Sequence, residues 1–430
     1  MAWNSFSMIN IQAFSRKNLV STSPFLRKLQ SKALLNKEAM AVAESIQTHT
    51  FEFGELNRKI SNGKPTFFFT DLASKLVESK VNDNLKRGYN VRPNDRNITV
   101  SQIKTLLSES CPFHVLKLDV KDFFESINRD KLIKSICSEM TVSSETQWLL
   151  KKIDRSLSDQ GIQGLPRGLS ISSTLSELAL AKFDDAVRSM HGVYYYSRYV
   201  DDILIFCFEN SKIILSESKI VLKNLDNLSL NTKKTEIFSV ECICESGCNC
   251  GKVPCRCRSK CKCKESDGRE ISLQYLGYKF IFKDTPNGKT TKNVEIDIAD
   301  KKIKKMKTKI AKVLEAYKKN GDFEIAKKRL KFATGNYPLY KGRSKGGLKG
   351  GIYYNYPMLT RNEGLESLDR FKRNISRSMK SPLGRALILT LSKEEVDWIS
   401  NISHVYGYKN RVFHEFSREE LHEIKRCFGP

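Results

Sequence analysis

The sequence predicts an α+β protein, in which a small antiparallel sheet of short apolar strands is set among many basic helices. Two runs carry the strand prediction, Val115–Val120 and Val193–Phe208. Both are short, apolar and rich in β-branched or aromatic residues, as buried strands are. Longer segments with helical spacing separate and follow them. The charge is one-sided: 74 Lys and Arg stand against 48 Asp and Glu, a net +26 over 430 residues.

The elements follow in order. Residues 1–50 read as mostly helical, with the clearest spacing over Leu26–Ile46. Residues 67–108 hold a helical stretch and then a basic, turn-rich segment, Leu85–Arg96. Val115–Val120 is a strand, and Asp130–Met140 and Ser144–Leu157 are helices. Gly161–Gly168 is a glycine-rich loop, and Ser172–Arg188 reads as the helix after it. Val193–Phe208 is a strand hairpin with Tyr199–Asp202 at its tip. Lys212–Leu228 is helical, Leu273–Phe282 is another strand, and Ile298–Lys319 is a very basic helix. The remainder is mostly helical, interrupted by an aromatic, glycine-rich stretch over Tyr337–Tyr356.

Composition narrows the partners. A compact chain this basic repels itself, and a polyanion relieves the repulsion, so nucleic acid is the expected partner. Residues 286–380 hold 25 Lys and Arg against 9 Asp and Glu. No apolar run is long enough to span a bilayer, so no membrane partner is expected. The first acidic residue is Glu38, preceded by Arg16, Lys17, Arg27, Lys28, Lys32 and Lys37. That composition suits an amphipathic N-terminal arm and also has the look of a transit peptide. The absence of a secretory core points to a reducing, cytoplasmic setting.

The chemistry centres on carboxylates in apolar surroundings. Asp201 and Asp202 sit side by side between two apolar strand segments, a costly arrangement without compensation. Asp119 ends the upstream strand, and two strands of one sheet can bring it beside Asp201. Hard divalent cations favour oxygen ligands and share carboxylates. Two such ions about 4 Å apart would stabilise both the attacking and the leaving oxygen of a phosphoryl transfer. Positioning is then most of what the protein must supply.

Five motifs, in order, resemble those of the reverse transcriptases among the right-hand polymerases. Asp119–Phe124 resembles the first palm motif and Gly164–Ser173 the template-and-nucleotide loop. Tyr199–Asp202 resembles the tyrosine–x–aspartate–aspartate box, Leu230–Glu236 the following lysine motif, and Gln274–Phe280 the primer grip. The resemblance runs from about residue 60 to residue 285. Its implied fold has fingers, a palm with an antiparallel sheet, and a helical thumb. The expected layout is an N-terminal helical arm over 1–55, fingers and palm over 56–285, a basic thumb over 286–380 and a C-terminal helical extension over 381–430.

Roles follow from the resemblance. Asp119 and Asp201 would hold both magnesium ions, with Asp202 in support. Phe124 would lie under the sugar of the incoming nucleotide, where a ring clashes with a ribose 2′-hydroxyl; Phe123 is the alternative gate. Arg96, with Lys86, Arg87 or Arg92 as alternatives, would meet the triphosphate. Lys234 would approach the pyrophosphate, and Arg167 and Gly168 would shape the nucleotide loop. These roles imply deoxynucleoside triphosphates as substrates, an RNA template and a DNA product. Ribonucleotide polymerisation and a catalytically inactive nucleic-acid-binding scaffold are the rival readings.

One motif departs from the common pattern. Pro166-Arg167-Gly168 stands where most retroviral and intron enzymes have Pro-Gln-Gly. With Leu175–Leu178, Leu330–Asn336 and Gly351–Asn355, it is similar to the bacterial abortive-infection and defence-associated reverse transcriptases. That subgroup implies antiviral defence. It extends the expected partners to a dedicated non-coding RNA and a partner protein, and it includes template-independent and protein-primed DNA polymerases.

Eight of the twelve cysteines fall within residues 242–263. They are Cys242, Cys244, Cys248 and Cys250, then Cys255, Cys257, Cys261 and Cys263, the second four repeating the first after 13 residues. Clustered thiolates favour tetrahedral zinc. Two four-sulfur sites are expected, one per repeat or with ligands swapped between repeats; disulfides are the alternative, disfavoured in a reducing compartment. The insert, taken as 241–265, is expected within the palm. Arg256, Arg258, Lys260, Lys262 and Lys264 interleave with the thiols, making a basic knob.

Overall fold

The computed structural model describes residues 5–6, 32–61, 63–92, 94–109, 111–226, 228–240, 270–283, 293–339 and 348–428. The clustered cysteines and most of the N-terminal arm lie outside the described residues. The chain forms two compact units, Met1–Asn94 with Pro112–Val240, and Asp95–Cys111 with Glu241–Pro430. The division falls at Val240, upstream of the palm boundary expected at 285, so the primer-grip segment groups with the C-terminal half. No described helix is long and apolar enough to cross a membrane.

The first unit is built around one antiparallel sheet. Strands β1 (Leu56–Ser61) and β2 (Lys64–Phe69) form a separate hairpin. The main sheet joins β3 (Phe113–Asp119), β4 (Val193–Tyr199), β5 (Asp202–Cys207) and β6 (Glu236–Val240) in the order β4-β5-β3-β6. The central strand β5 explains why the sequence reads as a continuous apolar run. Ile203, Leu204, Ile205, Phe206 and Cys207 are all 0% exposed, so the strand is covered on both faces. Each large apolar side chain so buried contributes about 1.5–3 kcal/mol.

Helices cover this sheet and set the loops. The helix Leu72–Gly88 starts at Asp71, whose carboxylate accepts from Ser74 N at 2.6 Å. The helix Ser144–Asp159 is capped by the Ser143 side chain. The expected helix over Ser172–Arg188 is two, Ser170–Ala179 and Ala181–Arg188, which meet at Leu180. Leu180 is fully buried, so packing fixes a break that helical periodicity does not show. The hairpin β1–β2 was not anticipated either; its alternation is weak, with mixed exposure on both strands.

The second unit holds a three-stranded sheet, β7 (Glu270–Tyr275), β8 (Tyr278–Lys283) and β9 (Glu295–Ile298), in sequential antiparallel order. The single strand expected over Leu273–Phe282 is therefore a hairpin. Leu276 (φ +50°) and Gly277 (φ +82°) form a two-residue turn with both central residues left-handed. Leucine in the first of those positions hides the turn from a composition-based reading. The basic helix runs from Asp300 to Asn320 and ends on left-handed Gly321. It buries Ile303, Ile310, Val313, Leu314 and Tyr317, leaving its lysines on the other face.

Two motifs that carried the subgroup resemblance have a packing role here. Asn336 is fully buried and is a hydrogen-bond hub. Its Nδ2 donates to Val412 O at 3.1 Å, its Oδ1 accepts from Tyr353 N at 2.9 Å, and its backbone pairs with Val412 and His414. It joins β10 (Asn336–Pro338) to β11 (Lys349–Gly351), where Gly351 has φ +116° and a Cβ would lie 2.4 Å from the Asn336 backbone.

Candidate active site

The register of the main sheet brings the carboxylates to one end. Asp119, the last residue of β3, is the cross-strand partner of Asp202, the first residue of β5. Asp201 lies beside them in the two-residue turn that joins β4 to β5, and its backbone O accepts from Val120 N at 3.3 Å. Asp119 is 6% exposed.

That turn is strained. Val200 has φ +60°, while Asp201 is not left-handed, the hand of a type II′ turn whose first central position suits glycine. A β-branched residue there is an outlier that the surroundings must hold in place.

Lys234 reaches back from the segment before β6. Asn231 N donates to Asp119 O at 2.7 Å, and Lys234 N closes the next turn on Asn231 O at 3.1 Å. Lys234 Nζ then lies 2.8 and 3.0 Å from the two Asp119 carboxylate oxygens. This bond to Asp119 raises the Lys234 ammonium above its ordinary value. Burial raises Asp201 and Asp202 above the usual carboxylate range, and the charge of Asp119 pushes the same way. For Asp202 the neighbouring Asp201 adds to the effect, while Lys234 opposes it at both.

The glycine loop closes the other side. Leu165 N donates to Phe124 O at 2.7 Å, and Phe67 N of β2 donates to Arg167 O at 2.7 Å. The loop is thus wedged between the Phe124 turn and the β1–β2 hairpin. Gly164 (φ +64°) and Gly168 (φ +104°) are required there, since a Cβ on either would come 2.4 Å from a backbone oxygen. Buried Arg129 braces the loop through Ile162 O at 2.8 Å and Gly164 O at 2.7 Å. Buried Glu78 accepts from Ile171 N at 2.7 Å, at the start of the following helix.

Of the two candidate gate residues, Phe123 is core, at 2% exposure. Phe124 is half-buried, and the Arg167 guanidinium carbon lies 4.8 Å from the centre of its ring. Arg167 also pairs with Glu125 at 3.1 Å, and Lys64 pairs with the same carboxylate at 3.2 Å. Lys64, the first residue of β2, escaped the sequence reading because its hairpin did.

A cleft of about 450 Å³ lies between these parts. Asp119 and Asp201 line it together with the cations Lys64, Lys121, Arg167, Lys233 and Lys234. Acidic groups at one strand end, surrounded by cations, suit a metal-bridged polyphosphate. The all-oxygen donor set fits magnesium chemically, and the Lys234 ammonium already occupies a cation's place on Asp119. Among the described residues no three His, Cys, Asp or Glu side chains converge closely enough to hold a metal ion as they stand.

Arg96, expected at the triphosphate, makes its described contacts inside the second unit. It opens a helix in the second unit, capped by Asp95. Its Nε donates to Leu276 O at 2.9 Å and its Nη1 to Asn355 O at 2.6 Å. Its guanidinium carbon also lies 4.6 and 5.4 Å from the ring centres of Tyr278 and Tyr356. A guanidinium so engaged is a packing bolt for the β7–β8 turn within the second unit.

The family described as "Reverse transcriptase (RNA-dependent DNA polymerase)" matches residues 65–280, half of the chain. This chain belongs to the reverse transcriptase family. The match takes in β2 from Pro65 on, the glycine loop, all four strands of the main sheet, β7 and the first half of β8. No curated protein matches the chain. Among solved structures, it is similar to apo telomerase from Candida tropicalis truncated from the C-terminal domain, at 13% identity and a TM-score of 0.35. The similarity covers 57% of this chain and 55% of that one, so the chain spans about half the length of that structure.

Proposed function

We propose that this reverse transcriptase makes DNA on an RNA template by magnesium-dependent nucleotidyl transfer at Asp119, Asp201 and Asp202. The observation that carries the reading is the register that sets Asp119 opposite Asp202, with Asp201 in the adjoining strained turn, on the edge of a cationic cleft. The three carboxylates would hold the ions once Lys234 releases Asp119. Bound magnesium supplies acidification of the primer 3′-hydroxyl and charge neutralisation at the leaving pyrophosphate.

The chain's own groups orient the rest. Lys64, Arg167 and Lys233 line the cleft where the triphosphate of a deoxynucleotide would lie, and Lys234 is placed to follow the leaving pyrophosphate. The Phe124 ring, held by Arg167, would exclude a 2′-hydroxyl. The 3′-oxygen attacks the α-phosphorus, the bond to the pyrophosphate oxygen breaks, and the 3′ proton leaves to solvent. The test is incorporation of labelled deoxynucleotide on an RNA template with an annealed primer. A signal that persists without the RNA would favour template-independent synthesis instead.

The finer biology rests on the sequence alone. Pro166-Arg167-Gly168, with Leu175–Leu178, Leu330–Asn336 and Gly351–Asn355, favours a specialised bacterial enzyme acting in antiphage defence, and the paired Cys repeats favour zinc held through Cys242–Cys263. Phage plating on cells carrying the wild type or Asp201→Ala tests the first part. Metal analysis of the purified chain tests the second, with two zinc ions per chain expected.

A further inference from the structure

Arg198 precedes Tyr199 and is buried, at 6% exposure. Its guanidinium grips Asp184 twice, Nε to Oδ1 at 2.7 Å and Nη2 to Oδ2 at 2.6 Å. Nη2 also meets Glu177 at 2.9 Å, and the Tyr196 hydroxyl donates to Asp184 Oδ1 at 2.6 Å. The two carboxylates over-compensate the one buried cation and fix the plane of its fork. That leaves Nη1, which donates to the backbone oxygen of Val200 at 3.1 Å. The backbone oxygen of Arg198 itself accepts from Asn94 Nδ2 at 3.1 Å.

A buried ion cluster serving only the core would not need to reach the turn. Here one arm ends on the carbonyl of the residue that carries the strain. A β-branched side chain at φ > 0 is strained and survives only where neighbours over-determine it. Release of the Val200 carbonyl would let the peptide rotate, and Asp201 would move with it.

We propose that Arg198 is a positioning residue for the catalytic turn: Asp184 and Glu177 aim its fork, and its free arm clamps the Val200 carbonyl so that Asp201 stays beside Asp119. The inference rests on the polymerase reading of the site. Arg198→Lys keeps a cation for Asp184 but has no fork to hold both partners. It should lower kcat by about 10- to 100-fold, the scale of a misplacement near 1 Å, with KM for deoxynucleotide within about twofold. Glycine adopts φ > 0 without strain, so Val200→Gly should remove the need for the clamp.

The experiment is a double-mutant cycle of primer extension with wild type, Arg198→Lys, Val200→Gly and the pair. The expected result is strong coupling, with Arg198→Lys costing about threefold or less in the Val200→Gly background. Independent, multiplicative effects, or a loss confined to KM, overturn the positioning role. If Arg198→Lys does not fold, Glu177→Gln, which loosens the fork by one ion pair, replaces it in the same cycle. A wild type that incorporates nothing contradicts the polymerase reading itself, whereas an active wild type without coupling contradicts only the role of Arg198.

Discussion

Lys234 Nζ lies 2.8 Å from one Asp119 carboxylate oxygen and 3.0 Å from the other. A cation from the chain thus rests on the carboxylate that must also receive a metal. In the proposed reaction the two would compete, and the lysine would then follow the leaving pyrophosphate.

Replacement of Lys234 by Met should therefore have two opposed effects. The magnesium midpoint for activity should fall, because Asp119 no longer has a competing partner. Turnover should drop by about 100- to 1,000-fold, the usual scale for loss of one group that stabilises developing charge. Magnesium titrations of primer extension measure both, and a raised midpoint would contradict the competition.

The paired carboxylates predict a pH-dependent stability. Asp202 is raised in the folded chain by burial, then by Asp201 and Asp119. A carboxylate raised on folding is most compatible with the fold below its unfolded value, and stability is lost as pH rises through the folded value. In chelator at pH 7, Asp202→Asn should melt higher than the wild type, and the gain should fade as pH falls towards 4. Magnesium should raise the melting temperature of the wild type more than that of the variant.

In the proposed polymerase Phe124 would set the sugar preference. Phe124→Ala should reduce discrimination against ribonucleotides by about 10- to 100-fold, the worth of an apolar steric contact of this size. Competition between deoxynucleotide and ribonucleotide in primer extension reads the ratio. An unchanged ratio would point to Phe124 as packing alone.

In the second unit Lys372 is fully buried, and among the described residues its Nζ has no hydrogen-bond partner. Burial lowers it to about 8, against the opposing pull of Asp369. Below about pH 8 the folded state carries the whole cost of the buried charge. Above the unfolded value, roughly 10.4, both states are neutral and the cost vanishes. Lys372→Met should raise the melting temperature at pH 7 by several degrees. Melting curves from pH 7 to 10 should show that gain shrinking.

The sequence made some features legible and hid others for physical reasons. Asp119, Asp201 and Asp202 stood out because carboxylates rarely interrupt buried strands, and the β4–β5 hairpin tip falls where the sequence placed it. The β1–β2 hairpin and its Lys64 were hidden because half-exposed strands carry little alternation. The β7–β8 turn was hidden by Leu276, which takes a glycine-like conformation. The aromatic contacts of Arg96 were hidden because a basic residue at a helix start reads the same whether it faces phosphate or two tyrosines. Arg198 was invisible as a functional group because its partners, Glu177 and Asp184, come from helices whose faces the sequence did not fix.

The most direct measurement is labelled deoxynucleotide incorporation on a primed RNA template by the wild type and by Asp201→Ala/Asp202→Ala, each with magnesium. The account predicts extension by the wild type and loss of at least about a thousandfold in the variant, since the metal-bound charge stabilisation is removed outright. Equal incorporation by the two proteins would contradict it.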